Sequence, residues 1–418
     1  MSTETTADAG HATLRRPVIP HILTQHAEEA AFCWLRRQEA LWRPSYRCSH
    51  LQRLDQLLDA HLEGLRVAAP AALPIVLDNL QRWKTPDEVF ASTYVLLHGG
   101  AVDWSPLEHV LEAQPSAAKG AAAALIWSPG PAAQACMQHW SESAIPALRA
   151  AAAAAYAVLN VDDNLAARSA WVELTLADPA SQVHARALRC IGEWRLPALA
   201  AHLQKAWVEE DALCRFESAY AMAWLGLPQA DAAILETLPH MQGNRQRRAA
   251  LLFALTAQPE VFMTWVQQAQ ADPAQSRALI WSLAFRGNAF ALTKLLEYLH
   301  LPQFTQLAAY AICHITGLDL DEQGFWRPED QNAPQAPHYS EDDGLLVADT
   351  ERLAEWVRSY IASMPREACL LAGKDVSPES ALPLLQAGWQ PQRWQAAAVL
   401  DIDDRLHTNL SRVATPLL

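Results

Sequence analysis

The sequence lacks the short motifs that mark many enzymes and nucleotide-binding proteins. It contains no GxSxG nucleophile elbow, no P-loop and no GxGxxG fingerprint, and it has neither an HExxH pair nor two cysteines in CxxC spacing. These absences lower the expectation of catalysis. We therefore expect a protein that is not an enzyme, with no catalytic residues, no cofactor and no metal.

An excess of basic residues is also missing. The 418 residues carry 32 Lys and Arg against 46 Asp and Glu, which gives a net charge of −14. Proteins that follow a phosphate backbone need clustered Lys and Arg. One basic group occurs, at Arg245, Arg247 and Arg248, and we interpret it as the solvated start of a helix. The sequence therefore predicts no nucleic-acid partner.

Long apolar runs and paired cysteines are absent as well. The Ala-rich run at 150–159 is far shorter than the ~20 apolar residues that a membrane-spanning helix needs. Residues 1–16 contain no apolar core of a secretion signal. The seven cysteines are scattered, which is typical of reduced, buried thiols. We expect a cytoplasmic protein that does not bind a membrane.

The sequence does contain a repeat. Pro197, Pro228 and Pro259 follow one another at intervals of 31 residues, and Asp178 precedes Glu209 by the same interval. Self-similarity at a period of ~20–50 residues is the signature of a solenoid, in which each unit buries its apolar face against its neighbours. The repeat therefore predicts a stack of similar units.

Each unit is predicted to be a pair of short helices. In the central unit, apolar residues recur at helical spacing and form one stripe: Leu213, Phe216, Tyr220, Ala223 and Trp224. A Gly-Leu-Pro step at 226–228 ends this helix, and a second helix is predicted from Gln229 to His240. Two helices in 31 residues are the length class of HEAT-like repeats. The predicted fold is an all-α, HEAT-like α-solenoid with atypical N- and C-terminal caps.

Breaker residues extend this organisation along the chain. Their spacing predicts about eight helix pairs between residues 74 and 317, preceded by an N-terminal pair with helices at 22–41 and from Cys48 onward. The predicted divisions are a disordered or extended lead-in at 1–20, the solenoid at 21–317, an acidic Pro-rich loop at 318–346 and a C-terminal helical cap at 347–418. Within the cap we predict a helix at 350–361 and a final pair at 378–405.

Four segments carry a resemblance to a known family. They are residues 22–36 (ILTQHAEEAAFCWLR), residues 54–55 with 60–66, residues 315–320 (ITGLDL) and residues 386–388 with 392–398. In these segments the chain resembles a group of bacterial HEAT-repeat proteins of uncharacterised activity. Members of that family tend to be encoded beside spike and tip components of type VI secretion systems.

The resemblance implies an accessory role with such a secretion cluster, as adaptor, chaperone or immunity-like partner. It brings no catalytic residues that could be transferred. We expect a protein-binding scaffold whose partner is a secretion-system component or effector, and the acidic surface favours a basic partner. Two alternatives stay open: an enzyme on a HEAT scaffold, such as a lyase or a DNA glycosylase, and a unit that assembles with copies of itself.

Tryptophan supplies the candidate binding residues. Most of the 16 Trp fall at helical spacing with other apolar residues and are expected in the core. Trp140, Trp207 and Trp265 fall on second helices, which we expect to line the concave face of the stack. Because Trp is a frequent anchor of protein interfaces, these three are predicted to bind a partner in a preformed groove.

One acidic segment approaches the spacing of a calcium loop. Its oxygen-bearing residues are Asp319, Asp321, Gln323 and Asp330, with Gly324 at the sharp turn. Gln is a weak ligand, and Arg327 adds a positive charge at a ligand position. We interpret the segment as a solvated acidic loop that binds no stoichiometric calcium.

Histidines offer a second pattern, without the spacing of a four-ligand zinc site. His26 with Glu28 and Glu29 could form a catalytic cluster. We favour another interpretation, in which Gln25, His26 and Glu29 join the N-terminal pair to the next unit.

Overall fold

The structure, a computed structural model, describes residues 18–100, 103–159, 164–208, 211–327 and 339–402. Over these residues the chain is almost entirely α-helical, and the strands amount to one two-stranded hairpin. The predicted all-α solenoid is confirmed. The expectations for residues 1–10 and for the tail at 406–418 lie outside the described residues.

Within the described residues between 69 and 316, sixteen helices alternate between two rows. The helices of the inner row pack each on the one before it and the one after it. They are α4 (Pro86–His98), α6 (Ala118–Trp127), α8 (Pro146–Leu159), α10 (Ser181–Glu193), α12 (Ala212–Trp224), α14 (Gly243–Thr256), α16 (Ser276–Arg286) and α18 (Thr305–Thr316).

The helices of the outer row alternate along the chain with those of the inner row. The outer row consists of α3 (Ala69–Trp83), α5 (Ser105–Ala113), α7 (Pro131–Ser141), α9 (Leu165–Leu176), α11 (Ala200–Trp207), α13 (Ala230–Thr237), α15 (Pro259–Ala271) and α17 (Ala289–Leu299). Eight pairs therefore lie between residues 69 and 316, as the breaker spacing predicts.

The remaining elements flank the stack. Two longer helices precede it, α1 (Pro20–Ala40) and α2 (Cys48–Val67). After it come α19 (Thr350–Ser363), the hairpin of β1 (Leu370–Leu371) and β2 (Lys374–Asp375), and then α20 (Pro378–Ala381), α21 (Leu384–Ala387) and α22 (Gln390–Ile402). The helices predicted at 22–41 and 350–361 are confirmed, whereas the hairpin has no counterpart in the predictions.

Helix α12 shows how the local sequence builds a unit. The Asp211 carboxylate accepts a hydrogen bond of 2.8 Å from the backbone N–H of Cys214 and so caps the helix. Gly226 ends the turn in the left-handed region, with φ of 61°. Close approach to α10 depends on Gly192, because a Cβ there would lie 2.7 Å from the Cα of Ala221. Small residues therefore set the spacing of the inner row.

Helices at both ends of the described part of the chain pack against the inner row. At the N-terminal end α1 and α2 lie on α4, where the Trp34 and Phe90 rings stack 5.2 Å apart, and Trp127 of α6 donates a 2.8 Å hydrogen bond to Asp59 of α2. At the other end α22 packs on α14. Residues 390–401 of α22 are all buried, which is the pattern of a helix covered on every side.

Two predictions about these helices are wrong. The helices that carry Trp140, Trp207 and Trp265 belong to the outer row and do not line the inner face. The Ala-rich helices α6 and α8 belong to the inner row, where small side chains let neighbouring helices approach closely. The predicted solvated basic group is wrong as well, because Arg247 and Arg248 are buried.

Among the described residues, no single helix combines the length and apolar composition that crossing a membrane would require. Taken together, α2 and α3 pass by length and composition only, and they are bent by 116° to each other.

Candidate functional site

The predicted binding tryptophans lie within the helix layers. Trp140 is fully buried and packs edge-to-face on Trp104 at 5.2 Å. Trp265 is fully buried too, and its indole N–H donates a 3.1 Å hydrogen bond to Ser282 of α16. Trp207 is half-buried against the core. The structure therefore does not bring the three rings together, and only Trp207 keeps a surface that a partner could contact.

The inner face is closed by contacts between the α1–α2 connection and α22. The Trp42 and Trp394 rings stack 4.2 Å apart with planes 6° from parallel. The Trp394 N–H donates a 2.8 Å hydrogen bond to the Leu41 carbonyl, and the Gln390 N–H donates one of 2.8 Å to the Tyr46 carbonyl. These bonds join residues near the two ends of the chain across the stack.

Polar side chains of α22 find partners on the inner row. His314 of α18 lies 2.6 Å from the amide oxygen of Gln395, and the Gln395 amide N–H donates a 3.0 Å hydrogen bond to the Phe285 carbonyl. Burial lowers the pKa of His314 to about 4, so its ring is neutral near pH 7. A neutral His314 donates from Nε2 to Gln395, which leaves Nδ1 as an acceptor.

The acidic loop is anchored to the same face. Arg277 of α16 makes a bidentate pair with Asp342, with two bonds of 2.7 Å, and a 3.3 Å contact with Glu341. Arg247 of α14 pairs with Glu341 and donates a 3.1 Å hydrogen bond to the Trp42 carbonyl. Two of the three arginines that the sequence presents as a basic group are thus buried, and Arg247 is neutralised by the chain's own loop.

A second ion-pair cluster spans α10, α12 and α14. Glu193 accepts bonds of 2.9 Å from Arg186 and 2.5 Å from Arg189, and Arg248 lies 3.5 Å from Glu217. Burial alone would raise the pKa of Glu193, but the neighbouring guanidinium groups hold it at about 2. The carboxylate therefore stays ionised, and it cannot act as an acid near neutral pH.

A cavity of about 300 Å³ lies where these segments meet. The α1–α2 connection contributes Arg47, whose guanidinium stacks 3.9 Å over the Trp389 ring. Helix α18 contributes Tyr310 and His314. The Tyr310 hydroxyl and His314 Nδ1 are buried and find no hydrogen-bond partner among the described residues. The cavity has the size of a small-ligand site, and both residues contribute to its wall.

A larger open groove, of about 680 Å³, lies outside the inner face between α7, α8 and α9. Its apolar lining includes Met137, Tyr156, Trp171 and Leu174, and the Tyr156 and Trp171 rings stack 4.8 Å apart. Leu174 is 75% exposed. Apolar surface rimmed by polar side chains marks many sites of protein–protein interaction.

The calcium-like segment that begins at Asp319 and the histidine pattern at His26 both have local structural contacts. The Asp319 carboxylate accepts the backbone N–H groups of Asp321 and Glu322 at 2.9 and 3.2 Å, so it stabilises a turn, while Asp330 lies outside the described residues. His26 contacts His61 of α2, with 3.1 Å between the two Nδ1 atoms. This contact lies within the N-terminal pair, so it does not join that pair to the next unit.

Sequence reasoning missed His314, Tyr310 and Gln395 as site residues. His314 and Gln395 lie 81 positions apart, and α18 reads as an ordinary apolar helix. The one available signal was the resemblance itself, because residues 315–320 and 386–388 both contribute to the cavity wall.

Comparisons with known proteins agree with the architecture. A family model described as HEAT repeats matches residues 169–256, which run from α9 to the end of α14. HEAT repeats are generally non-catalytic scaffolds that mediate protein–protein interaction. No curated protein and no solved structure matches the chain. Residues 169–256 are thus similar to HEAT repeats, and the described residues form an all-α solenoid.

Proposed function

We propose that the protein is a binding scaffold that serves a type VI secretion system as adaptor, chaperone or immunity-like partner. The match of residues 169–256 to HEAT repeats supports the scaffold role. The resemblance supports the connection with secretion; it is carried by residues 22–36, 54–55 with 60–66, 315–320, and 386–388 with 392–398. The partner is then a secretion-system component or an effector.

The observation that carries the proposal is the open groove between α7, α8 and α9. The inner face cannot offer a continuous groove, because α22 and the acidic loop occupy its last part. The groove between α7, α8 and α9 has an apolar lining that includes the exposed side chain of Leu174. We therefore place the partner on the outer side of the stack.

Charge and shape favour an amphipathic helix with a basic flank as the occupant. Arg149 at the groove is neutralised by Asp178, with bonds of 2.6 and 2.9 Å, whereas Glu142 at the groove is exposed. The whole chain carries a net charge of −14. A helix that lays its apolar stripe on Trp171 and Leu174 would bring basic residues towards this acidic surface.

The test is affinity enrichment from the native cell, followed by mass spectrometry, with the wild-type chain and two variants. Leu174→Asp places a charge in the groove. Leu165→Asp is the matched control, since Leu165 is 62% exposed on the same helix and does not line the groove. We expect a spike, tip or effector protein to be enriched by the wild type and by Leu165→Asp, and at least ~10-fold less by Leu174→Asp, as for a hot-spot loss.

Two results would count against different parts of the proposal. If no secretion-system protein is enriched, the secretion role is wrong. If such a protein is enriched equally by Leu174→Asp, the scaffold role stands and the partner binds another surface. As a folding control, far-UV circular dichroism is measured for both variants, and we expect both to keep the helical fold.

The 300 Å³ cavity favours a second candidate, an enzyme on a HEAT scaffold. It combines an uncharged His314 with the Tyr310 hydroxyl in a concave site. Its test is a thermal-unfolding screen with small metabolites on the wild type and on Tyr310→Phe. A compound that stabilises only the wild type would support a ligand site, and turnover of that compound would establish an enzyme.

A further inference from the structure

We propose that Glu29 and Cys33 of α1 and His61 of α2 form a binding site for one zinc-class divalent cation, with His26 orienting the His61 ring. A carboxylate oxygen, a sulfur and an imidazole nitrogen from these residues all lie within 4.8 Å of one another. Within the described part of the chain, no other group of three such residues meets this distance.

The distances suit a tetrahedral ion. Zinc bonds of about 2.0–2.3 Å imply ligand-to-ligand edges of roughly 3.3–3.8 Å. The three atoms therefore need to approach one another by at most ~1.5 Å, which rotation about side-chain bonds provides. Three protein ligands leave a fourth position open for water, as in zinc sites that are not purely structural.

The helix pair brings the ligands together. Glu29 and Cys33 are four residues apart on α1 and share one face of it. His61 faces them from α2, which packs along α1. An ion pair also joins the two helices: Nε of Arg37 on α1 lies 2.5 Å from the Asp55 carboxylate on α2. The ligands thus stand on two braced helices rather than on loops.

His26 supplies the contact that a ligating histidine ordinarily has. Its Nδ1 lies 3.1 Å from Nδ1 of His61, so one ring donates to the other. Such a partner fixes the tautomer and the orientation of the ligand ring. Gly64 makes room for it, because a Cβ at Gly64 would lie 2.7 Å from Nε2 of His26. A larger residue at 64 would displace the His26 ring.

The donor set selects the kind of cation. Binding breaks the Cys33 S–H bond and forms a metal–sulfur bond, and the proton leaves to solvent. A thiolate, a carboxylate and a neutral imidazole then balance the two positive charges. Sulfur and nitrogen donors favour zinc-class ions over calcium and magnesium, which prefer oxygen ligands. Because the thiol must lose its proton before it binds the ion, binding should weaken as pH falls.

The test uses the full chain, reduced and freed of metal with a chelator. Zn²⁺ binding is measured by titration calorimetry, and Co²⁺ serves as the spectroscopic probe. We expect one Zn²⁺ per chain and, with Co²⁺, a thiolate-to-metal charge-transfer band with the visible bands of a tetrahedral site. Cys33→Ser should abolish the charge-transfer band, and His61→Ala should weaken binding by at least ~10-fold. His26→Ala should weaken it by roughly 10–100-fold, as for loss of an orienting partner.

Matched controls are His21→Ala, Glu28→Gln and Cys369→Ser, which remove the same residue types outside the cluster and should bind like the wild type. Absence of stoichiometric Zn²⁺ binding would overturn the proposal. So would a Co²⁺ spectrum of the wild type without a thiolate band, or binding that Cys33→Ser and His61→Ala leave unchanged. None of these outcomes depends on the identity of the protein partner.

Discussion

The indole rings of Trp42 and Trp394 stack 4.2 Å apart and 6° from parallel, and so join the α1–α2 connection to the last described helix. Both rings are more than nine-tenths buried. This contact closes the inner face of the stack. It makes the C-terminal helix a part of the solenoid core rather than a separate end piece.

The stacking pair can be measured by a double-mutant cycle. Trp42→Ala and Trp394→Ala should each lower the free energy of unfolding by about 3–5 kcal/mol, the usual cost of truncating a buried Trp. The coupling between them should be about 0.5–1.5 kcal/mol, as for stacked aromatic pairs. Urea denaturation of the four proteins gives these values, and additive effects would show that the two rings do not interact.

The anchor of the acidic loop makes a second prediction. Arg277→Gln leaves the buried Asp342 carboxylate without its bidentate partner, which should cost about 3 kcal/mol in unfolding free energy. It should also speed proteolytic cleavage within residues 339–349. Lys294→Gln is the control, because its ion pair with Glu297 is at the surface and should contribute below about 1 kcal/mol. Equal cleavage rates in both variants would contradict the anchor.

Glu88 predicts a stabilising substitution. Burial first, and then the Asp87 and Glu28 carboxylates, raise its pKa to about 7. A pKa raised in the folded state means that stability is present below about pH 4.5 and is lost as pH rises through 7. Glu88→Gln removes this loss and should stabilise the protein by about 3 kcal/mol at pH 8, with little effect at pH 4. Denaturation at the two pH values tests this, and an equal effect at both would contradict it.

His314 predicts the opposite pH dependence. Its pKa of about 4 lies below the ordinary value of 6.5, since burial disfavours the charged ring. Stability from His314 is therefore present above pH 6.5 and is lost as pH falls towards 4, by about 3 kcal/mol in total. His314→Gln should remove this part of the slope. Between about pH 4.5 and 6.5, a fall in pH raises the stability contributed by Glu88 and lowers that contributed by His314. The two effects partly cancel in the wild type, so its unfolding free energy alone does not reveal either one.

The pH measurement therefore compares the wild type, His314→Gln, Glu88→Gln and the double variant. A wild type and His314→Gln with the same slope below pH 6.5 would show that His314 is not buried in its neutral form.

Local order in this chain was predictable from its sequence. The 31-residue interval, the glycine and proline breakers and the apolar stripe of α12 act over a few turns of chain, and they gave the repeat class and eight pairs. The helix bounds predicted at the N-terminus differ from those of α1 by about two residues, the usual uncertainty of helix ends.

The closure of the inner face was not predictable in this way. Trp394 bonds to a carbonyl 353 positions earlier, and Gln395 to one 110 positions earlier. Helical periodicity shows which residues are apolar but not which row of a stack a helix joins. For the same reason Trp140 and Trp265 were predicted on the concave face, whereas they are buried in the outer row. His26 and His61 lie on different helices, so motif spacing did not reveal their contact.

Hydrogen exchange of the backbone amides in α22 tests the central claim, that the chain fills its own inner face, most directly. If α22 is enclosed as described, the amides of residues 394–401 exchange as slowly as those of α12 and α14, at rates set by global unfolding. The closed stack would be contradicted if these amides exchanged at the rate of an exposed helix while α12 and α14 stayed protected. The concave face would then again be a candidate binding surface.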